Sequence, residues 1–149
     1  MVEDLTQEEI LQVLQNNSLG RLGLHDGNKT YVIPTNYVYD GKSILCHAVE
    51  GTKIHIMRQY PAVCFEVEEI TDFTSWCSIL AHGCYQELTE ERDRYHAMKN
   101  FIDHRLHIKI PHSILETTRG ANVPIKNNME RPIIYRIIIT ELTGKMERK

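Results

Sequence analysis

The sequence predicts a mainly β, α+β domain in which six strands, flanked by short helices, curl into a small antiparallel barrel. Three observations predict it. Several segments alternate apolar and polar residues with a period of two, Asp-Gly turns join successive segments as hairpins, and only three stretches carry helical spacing instead. Closing the sheet removes the exposed edges that so many strands would otherwise present.

The first helix is announced by Thr6 followed by Glu9, a capping-box pattern. Ile10, Leu11 and Leu14 then fall on one side of a short amphipathic helix that ends near Asn16 and Asn17 and acts as a lid. From Arg21 the period changes to two: RLGLH, a DGN turn, TYVIPTNYVY, a DGK turn and SILCHA give three strands of an antiparallel meander. Gly51 and Thr52 open a second helix, TKIHIMRQ, which carries Ile54, Ile56 and Met57. It stops before Pro61, because the residue preceding a proline disfavours helical backbone. AVCFEVEEI follows as a strand with Val63, Phe65 and Val67 on its dry face and Cys64, Glu66 and Glu68 on its wet one. A long fifth strand runs from Trp76 to Leu88, and helical spacing returns from Glu90 to His107 through Tyr95, Met98, Phe101, Ile102 and Leu106. Residues 108–131 hold Pro111, Gly120, Pro124 and two adjacent asparagines, the composition of an irregular segment that covers a site or a partner. PIIYRIIITEL is the last strand. With no repeat, linker or low-complexity tract, residues 1–149 read as a single domain.

Composition narrows the function. A chain of 149 residues, 42% hydrophobic and 25% charged, can bury one core without disulfide or metal. Seventeen Lys and Arg against 20 Asp and Glu, with no basic block, argue against a nucleic-acid partner. Met1, Val2, Glu3 and Asp4 form no secretory signal, and the greasiest run, from Ile133 to Ile139, is interrupted by Arg136. A cytoplasmic protein without membrane contact is expected. The four cysteines, Cys46, Cys64, Cys77 and Cys84, contain no CxxC pair and read as reduced, mostly buried thiols.

Candidate chemistry concentrates in His47-Ala48-Val49-Glu50-Gly51-Thr52-Lys53, where a strand ends, a glycine permits a tight turn and a helix begins beside a hydroxyl and a cation. The free N–H groups and positive dipole end of such a helix favour an anion, with phosphate as the natural occupant. The same pattern also describes a Thr52 N-cap followed by a solvated lysine, and the P-loop spacing is absent. Pro34 interrupts a strand and requires an edge, a bulge or an unpaired stretch. There, backbone groups of Ile33, Thr35 and Asn36 are free to read the polar edge of a flat heterocycle. Trp76, the only tryptophan, starts the fifth strand with Ser75, Cys77 and Ser78 and serves as a core or interface anchor or as a cofactor platform. The eight histidines, including His104, His107 and His112, show no zinc spacing, so no metal is expected. His82 reads as a core histidine, and no GxSxG elbow supports a serine hydrolase.

Taken together, GRLGLHDGNKTYVIPTNYVYDGKSILCHAVEGTKIHIMRQYPAVCFEVEE, TSWCSILAHGCYQEL and YRIIITELTGK resemble the FMN-binding split-barrel family that includes pyridoxamine 5′-phosphate oxidase. Within it the closest likeness is to the nitroimidazole-resistance (Nim-type) flavoproteins. The resemblance implies a Greek-key split barrel and a homodimer with FMN in a groove between subunits. Thr52 and Lys53, with Gly51, would hold the phosphate, Ile33, Pro34, Thr35 and Asn36 would run along the flavin ring, and His47 and Ala48 would lie near the ribityl side. Ser75, Trp76, Cys77 and Ser78 would approach the ring. Tyr31 and Asn36 stand where the oxidase subfamily carries basic residues, so the resemblance does not extend to pyridoxamine phosphate oxidation; the weaker cationic set implies either looser FMN binding or a different phosphate clamp, completed by Arg119, Lys126 or Arg131. The implied activity is transfer of electrons from NAD(P)H or another donor to a small acceptor such as a nitroimidazole, with His47 as the acid or base because histidine's ordinary pKa lies nearest neutrality. A non-catalytic flavin or haem store is the alternative.

Overall fold

The computed structural model describes residues 1–108 and 131–148, and only the backbone of 105–108. In chain order the elements are β1 (Val2–Asp4), α1 (Gln7–Asn16), β2 (Leu19–His25), β3 (Thr30–Asn36), β4 (Val38–Tyr39), β5 (Ser43–Ala48), α2 (Thr52–Gln59), β6 (Ala62–Asp72), β7 (Ser75–Glu87), α3 (Glu91–Ile108) and β8 (Ile133–Glu147). Among the described residues the strands form one antiparallel sheet in the order β3-β2-β6-β7-β8-β5-β4, with β1 added beside β8. It is a curled half-barrel consistent with the split-barrel fold, with eight strands in place of the expected six.

Local chemistry explains the parts that sequence reasoning placed well. At the N-terminus of α1 the Thr6 hydroxyl accepts from Glu9 N at 3.2 Å and the Glu9 carboxylate accepts from Thr6 N at 3.0 Å, so the capping box is complete. Both Asp-Gly turns are built alike. Asp26 Oδ1 accepts from the amides of Asn28 and Lys29, Asp40 Oδ1 accepts from those of Lys42 and Ser43, and Gly27 and Gly41 take the left-handed backbone at φ 88° and 94°. Along β6, Val63, Phe65 and Val67 are buried while Cys64, Glu66 and Glu68 are half-buried on the outer face.

Of the two extra strands, β1 is a short addition beside β8, and β4 has a definite cause. TYVIPTNYVY does not run as one strand, because Tyr37 turns the chain: its amide donates to Ser18 O at 2.9 Å and its buried hydroxyl to Leu14 O at 2.8 Å. Upstream of it β3 pairs only with β2; downstream β4 pairs with β5. The expected three-strand meander is therefore two separate hairpins whose outer strands, β3 and β4, lie at opposite ends of the sheet order. The last strand is longer than PIIYRIIITEL, since Thr143 to Glu147 continue to pair with β7 while β1 pairs along their other edge.

The main core combines α1, α2 and the inner faces of the strands, with Leu14, Leu22, Ile44, Ile54, Met57 and Phe65 fully enclosed. Ile10, Val13 and Leu14, not Leu11, form the buried face of α1, so this helix plugs the barrel as a fixed part of the core. A second cluster, in which Phe101 and Ala97 of α3 pack on Val38, Leu45 and Ile134, covers the outer face of β4, β5 and β8. All four cysteines are free thiols, but only Cys46 is buried; Cys84 is exposed, and so is His82, which faces outward because its neighbours Ala81 and Gly83 take the inward positions of β7.

Gly20 of β2 measures how tightly this core closes: a Cβ there would stand 2.1 Å from the Phe65 ring and 2.8 Å from Glu66 O. Gly20→Ala is expected to cost about 1–3 kcal/mol through overpacking, read as a lower urea midpoint with an unchanged slope. An unaltered midpoint would show that the Phe65 ring moves aside freely.

Candidate functional site

The corner between β5 and α2 is shaped by what is missing from the start of a helix. Gly51 is the N-cap and offers no side-chain oxygen to the first amides, and no acidic residue occupies the first turn; Lys53 stands there instead. Thr52 is thus the first helical residue and not the cap. A glycine cap supplies no side-chain acceptor and a first-turn cation opposes the dipole, so the orphan N–H groups and the positive end stay uncompensated. The same arrangement suits an external anion. The helix tolerates it because Ile54 and Met57 are fully buried in the core.

The carboxylate of Glu50, beside this turn, is held elsewhere. Glu50 accepts from Arg58 Nη1 with both oxygens, at 3.0 and 3.1 Å, and its Oε2 lies 3.6 Å from His55 Nε2. Arg58 in turn grips Glu87 at the end of β7 through Nε at 2.8 Å and Nη2 at 3.1 Å, and Tyr85 donates its hydroxyl to Glu87 at 2.7 Å. The Arg58 hydrogen bonds hold the Glu87 carboxyl below the usual range, and burial raises the Tyr85 hydroxyl well above its own. Sequence reasoning missed Arg58, Tyr85 and Glu87 and gave Glu50 no role of its own, because no local spacing links the loop before a helix to a strand end 29 residues beyond Arg58.

Beside the corner the sheet splits. β3 approaches β5 without pairing with it among the described residues, so β3 keeps one free edge. Bonds at the two ends of the β2–β3 ladder, Asp26 N to Lys29 O and Tyr37 N to Ser18 O, fix which residues face that edge. By the antiparallel alternation, Val32, Pro34 and Asn36 point their backbone groups outward, whereas Ile33 and Thr35 spend theirs on β2. The expectation that Ile33 and Thr35 offer free backbone groups is corrected accordingly; of the expected set, the Pro34 carbonyl and both Asn36 groups face the split. Pro34 lies at a plain edge and not a bulge, since the β2–β3 register is continuous and an outward nitrogen needs no N–H for the ladder. The Thr35 side chain is buried and its hydroxyl donates to Ile33 O at 3.1 Å.

His47 and Ala48 close β5 at the same end. Alternation along β5 turns Cys46 and Ala48 into the barrel and His47 towards α3, where its ring meets Phe101 edge-on at 5.3 Å. Cys46 is no nucleophile, because complete burial raises its thiol to about 12.

Ser75, Trp76, Cys77 and Ser78 are not part of this corner. They begin β7, whose other end carries Glu87, and Trp76 and Glu87 are separated by roughly 35 Å of strand. Trp76 Nε1 donates to Glu147 at 3.1 Å, and Trp76 with Ser75 and Cys77 lines a cavity of about 260 Å³ beneath α1. Ser78 donates to Glu66 at 2.6 Å on the outer face. Between the two ends the outer face of β2, β3, β6 and β7 carries an apolar groove of about 510 Å³, lined by Gly23, Val32, Cys64, His82 and Cys84 among others. Of the residues expected to complete a phosphate clamp, Arg119 and Lys126 lie outside the described residues, and Arg131 pairs with Glu91. His112 and the side chain of His107 also lie outside them, and no three metal-ligating side chains converge among the described residues. No described helix is long and apolar enough to cross a membrane.

A family model described as Pyridoxamine 5′-phosphate oxidase matches residues 6–146. Among curated proteins, an uncharacterized protein of Rhizobium meliloti is 30% identical over 95 residues; the match takes in 64% of this chain and spans 63% of that relative's length. Solved structures share the fold over nearly all of the chain. A FAD-binding protein from Mesorhizobium loti superposes with a TM-score of 0.74 at 25% identity, covering 100% of this chain and 98% of that one. A candidate 5-nitroimidazole antibiotic resistance protein from Bacteroides thetaiotaomicron gives 0.74 at 16% identity, covering 98% and 87%. The flavocytochrome Anf3 from Azotobacter vinelandii gives 0.72 at 15%, covering 99% and 70%.

The Arg58–Glu87 contact makes a pH prediction. A carboxyl whose pKa is lower folded than unfolded adds stability that is fully present above the ordinary carboxylate range and is lost as pH falls through the lowered value. Arg58, Tyr85 and Arg94 are the groups that act on Glu87. The stability gap between the wild type and Glu87→Gln should therefore be largest near neutrality and shrink on acidification, as compared by urea midpoints at about pH 7 and about pH 3. A gap that does not depend on pH would contradict it.

Proposed function

The chain belongs to the pyridoxamine 5′-phosphate oxidase family, and from that premise we propose that it is an FMN-binding flavoprotein working as a homodimer. The observation that carries the reading is the uncapped first turn of α2, with Lys53 in it, beside the free edge of β3. These residues fit FMN in chemistry and in arrangement. The amides of the first turn, the Thr52 hydroxyl and the Lys53 ammonium suit a phosphate dianion, and the outward Pro34 carbonyl and Asn36 groups suit the polar edge of a flat ring. The FAD-binding relative supports a flavin, and the uncapped turn with its lysine, suited to a terminal phosphate, favours FMN.

The separation of the two expected half-sites supports the homodimer. A single chain keeps Trp76 and Ser78 at the far end of β7 from Lys53, so a ring held at the β3 edge meets them only if a second copy supplies them. The apolar groove beside β3 gives that copy a surface to cover.

For activity, we propose two-electron transfer from NAD(P)H or another donor to a small acceptor such as a nitroimidazole. Bound FMN supplies the electron-carrying chemistry. A nitro group reduced to the nitroso level takes up two electrons and two protons and releases water. His47 would deliver a proton to the acceptor, and its ring is held edge-on against Phe101.

The first test is the visible absorption spectrum of the purified protein with and without FMN, together with identification of any released chromophore. A perturbed flavin spectrum supports the reading; a protein that ignores FMN overturns it. Lys53→Glu should weaken FMN binding by roughly tenfold to hundredfold, the worth of one charge-assisted contact, while leaving the fold intact. His47→Ala should slow reoxidation by the nitro acceptor more than it weakens FMN binding. Equal turnover in that variant would remove the proton-donor role.

A further inference from the structure

Glu50 immediately precedes the N-cap of an uncapped helix, where a carboxylate would ordinarily swing onto the free amides of the first turn and cap them. It does not do so here. Its two oxygens sit instead on Arg58, in the last turn of the same helix, with His55 alongside. Seven residues separate Gly51 from Arg58, about 10 Å of helix, and an arginine there reaches back towards the N-terminus as helical side chains do. The carboxylate is thereby drawn along the outside of α2 and away from its amides. Arg58 is itself fixed by a fork-to-fork contact with Glu87, which Tyr85 orients from β7.

We infer that Arg58, anchored on Glu87, is a positioning residue that keeps Glu50 off the first turn of α2 and so keeps that turn open to a phosphate monoester. The inference rests on the FMN reading of the corner and names its internal competitor. Its energetics do not depend on the ion pair stabilising the protein, since partly exposed pairs of this kind add little. What matters is where the Glu50 charge sits. Released, it would occupy the amides that the phosphate needs and repel the phosphate directly; held, it leaves Lys53 and those amides to the ligand.

The double-mutant cycle on Arg58 and Glu50 tests this, with dissociation constants for FMN and for riboflavin, which lacks the phosphate, read by fluorescence quenching. Arg58→Gln should weaken FMN binding by roughly tenfold while leaving riboflavin within about twofold of the wild type. Glu50→Gln alone should bind FMN at least as well as the wild type, and Arg58→Gln combined with Glu50→Gln should return to the Glu50→Gln value. Three outcomes overturn the inference alone: FMN binding unchanged in Arg58→Gln, a loss that persists in the double variant, or equal losses for FMN and riboflavin, which would mark a general disturbance of α2. Arg58→Lys, which keeps the charge, separates misfolding from loss of positioning by retaining most FMN affinity. A wild type that binds neither ligand defeats the FMN reading itself, and the inference with it.

Discussion

The turn at Tyr37 is the constraint from which the site descends. A strand carrying TYVIPTNYVY would satisfy its backbone most simply by pairing along its whole length with one neighbour. It is prevented by a buried tyrosine whose ring stands edge-on to Phe65 at 5.2 Å and whose hydroxyl takes the Leu14 carbonyl, one of the last four carbonyls of α1 that lack a helical partner. Burial raises that hydroxyl far above its usual pKa, so it remains a donor at any working pH. The chain must leave β2 at this point and join β5 at the other limit of the sheet. That crossing curls the sheet and leaves the β3 edge facing β5, unpaired. The free β3 edge and the barrel closure are thus consequences of one packing decision, and a sequence change at Tyr37 would alter both together.

The second structural tension lies in α2, whose N-terminus is badly made for a helix and well made for an anion. Its stability comes from Ile54 and Met57 in the core, so the first turn is free to carry a glycine cap and a lysine. Sites of this kind sacrifice a little local stability for chemistry, and the deficit is covered by packing elsewhere. The neighbouring ion-pair chain from Glu50 through Arg58 to Glu87 fits the same logic. It ties the loop before α2 to the end of β7, so the corner has a fixed position relative to the sheet without any capping side chain intruding on it.

Legibility in the sequence followed the range of the interactions. The capping box of Thr6 and Glu9, the Asp26-Gly27 and Asp40-Gly41 turns, the alternation of β6 and the start of α2 are set by residues within four positions of each other, and all were readable. The Tyr37 turn was not, because it depends on Leu14 and Phe65, which are near only once the barrel has formed. His82 reads as core beside apolar neighbours, yet alternation from Gly83 turns it outward. At the site, Thr52 and Lys53 were marked by their place at a strand-to-helix junction, whereas Arg58 and Glu87 carry no local signature. The assignment of free backbone groups to Ile33 and Thr35 failed by one residue, since a strand has period two and the hairpin bond from Asp26 to Lys29 decides the parity.

The long strands β7 and β8 bear on oligomeric state by simple geometry. They run side by side over most of their length and carry the Trp76 end and the Glu87 end of the molecule apart. Every expected ring contact on β7 is therefore far from every expected phosphate contact on α2 within one chain. A twofold arrangement in which the outer faces of two sheets meet would reverse one β7 against the other and set each Trp76 end near the other copy's split. Gly23 favours such a meeting, because only a residue without a side chain leaves room for the Cys64 thiol in the groove floor, where a Cβ would approach its sulfur to 2.5 Å. The apolar row of exposed Val32 and Cys84 with half-buried Cys64 gains most from being covered. In the proposed homodimer a single contact would cover that row and bring the two expected half-sites together.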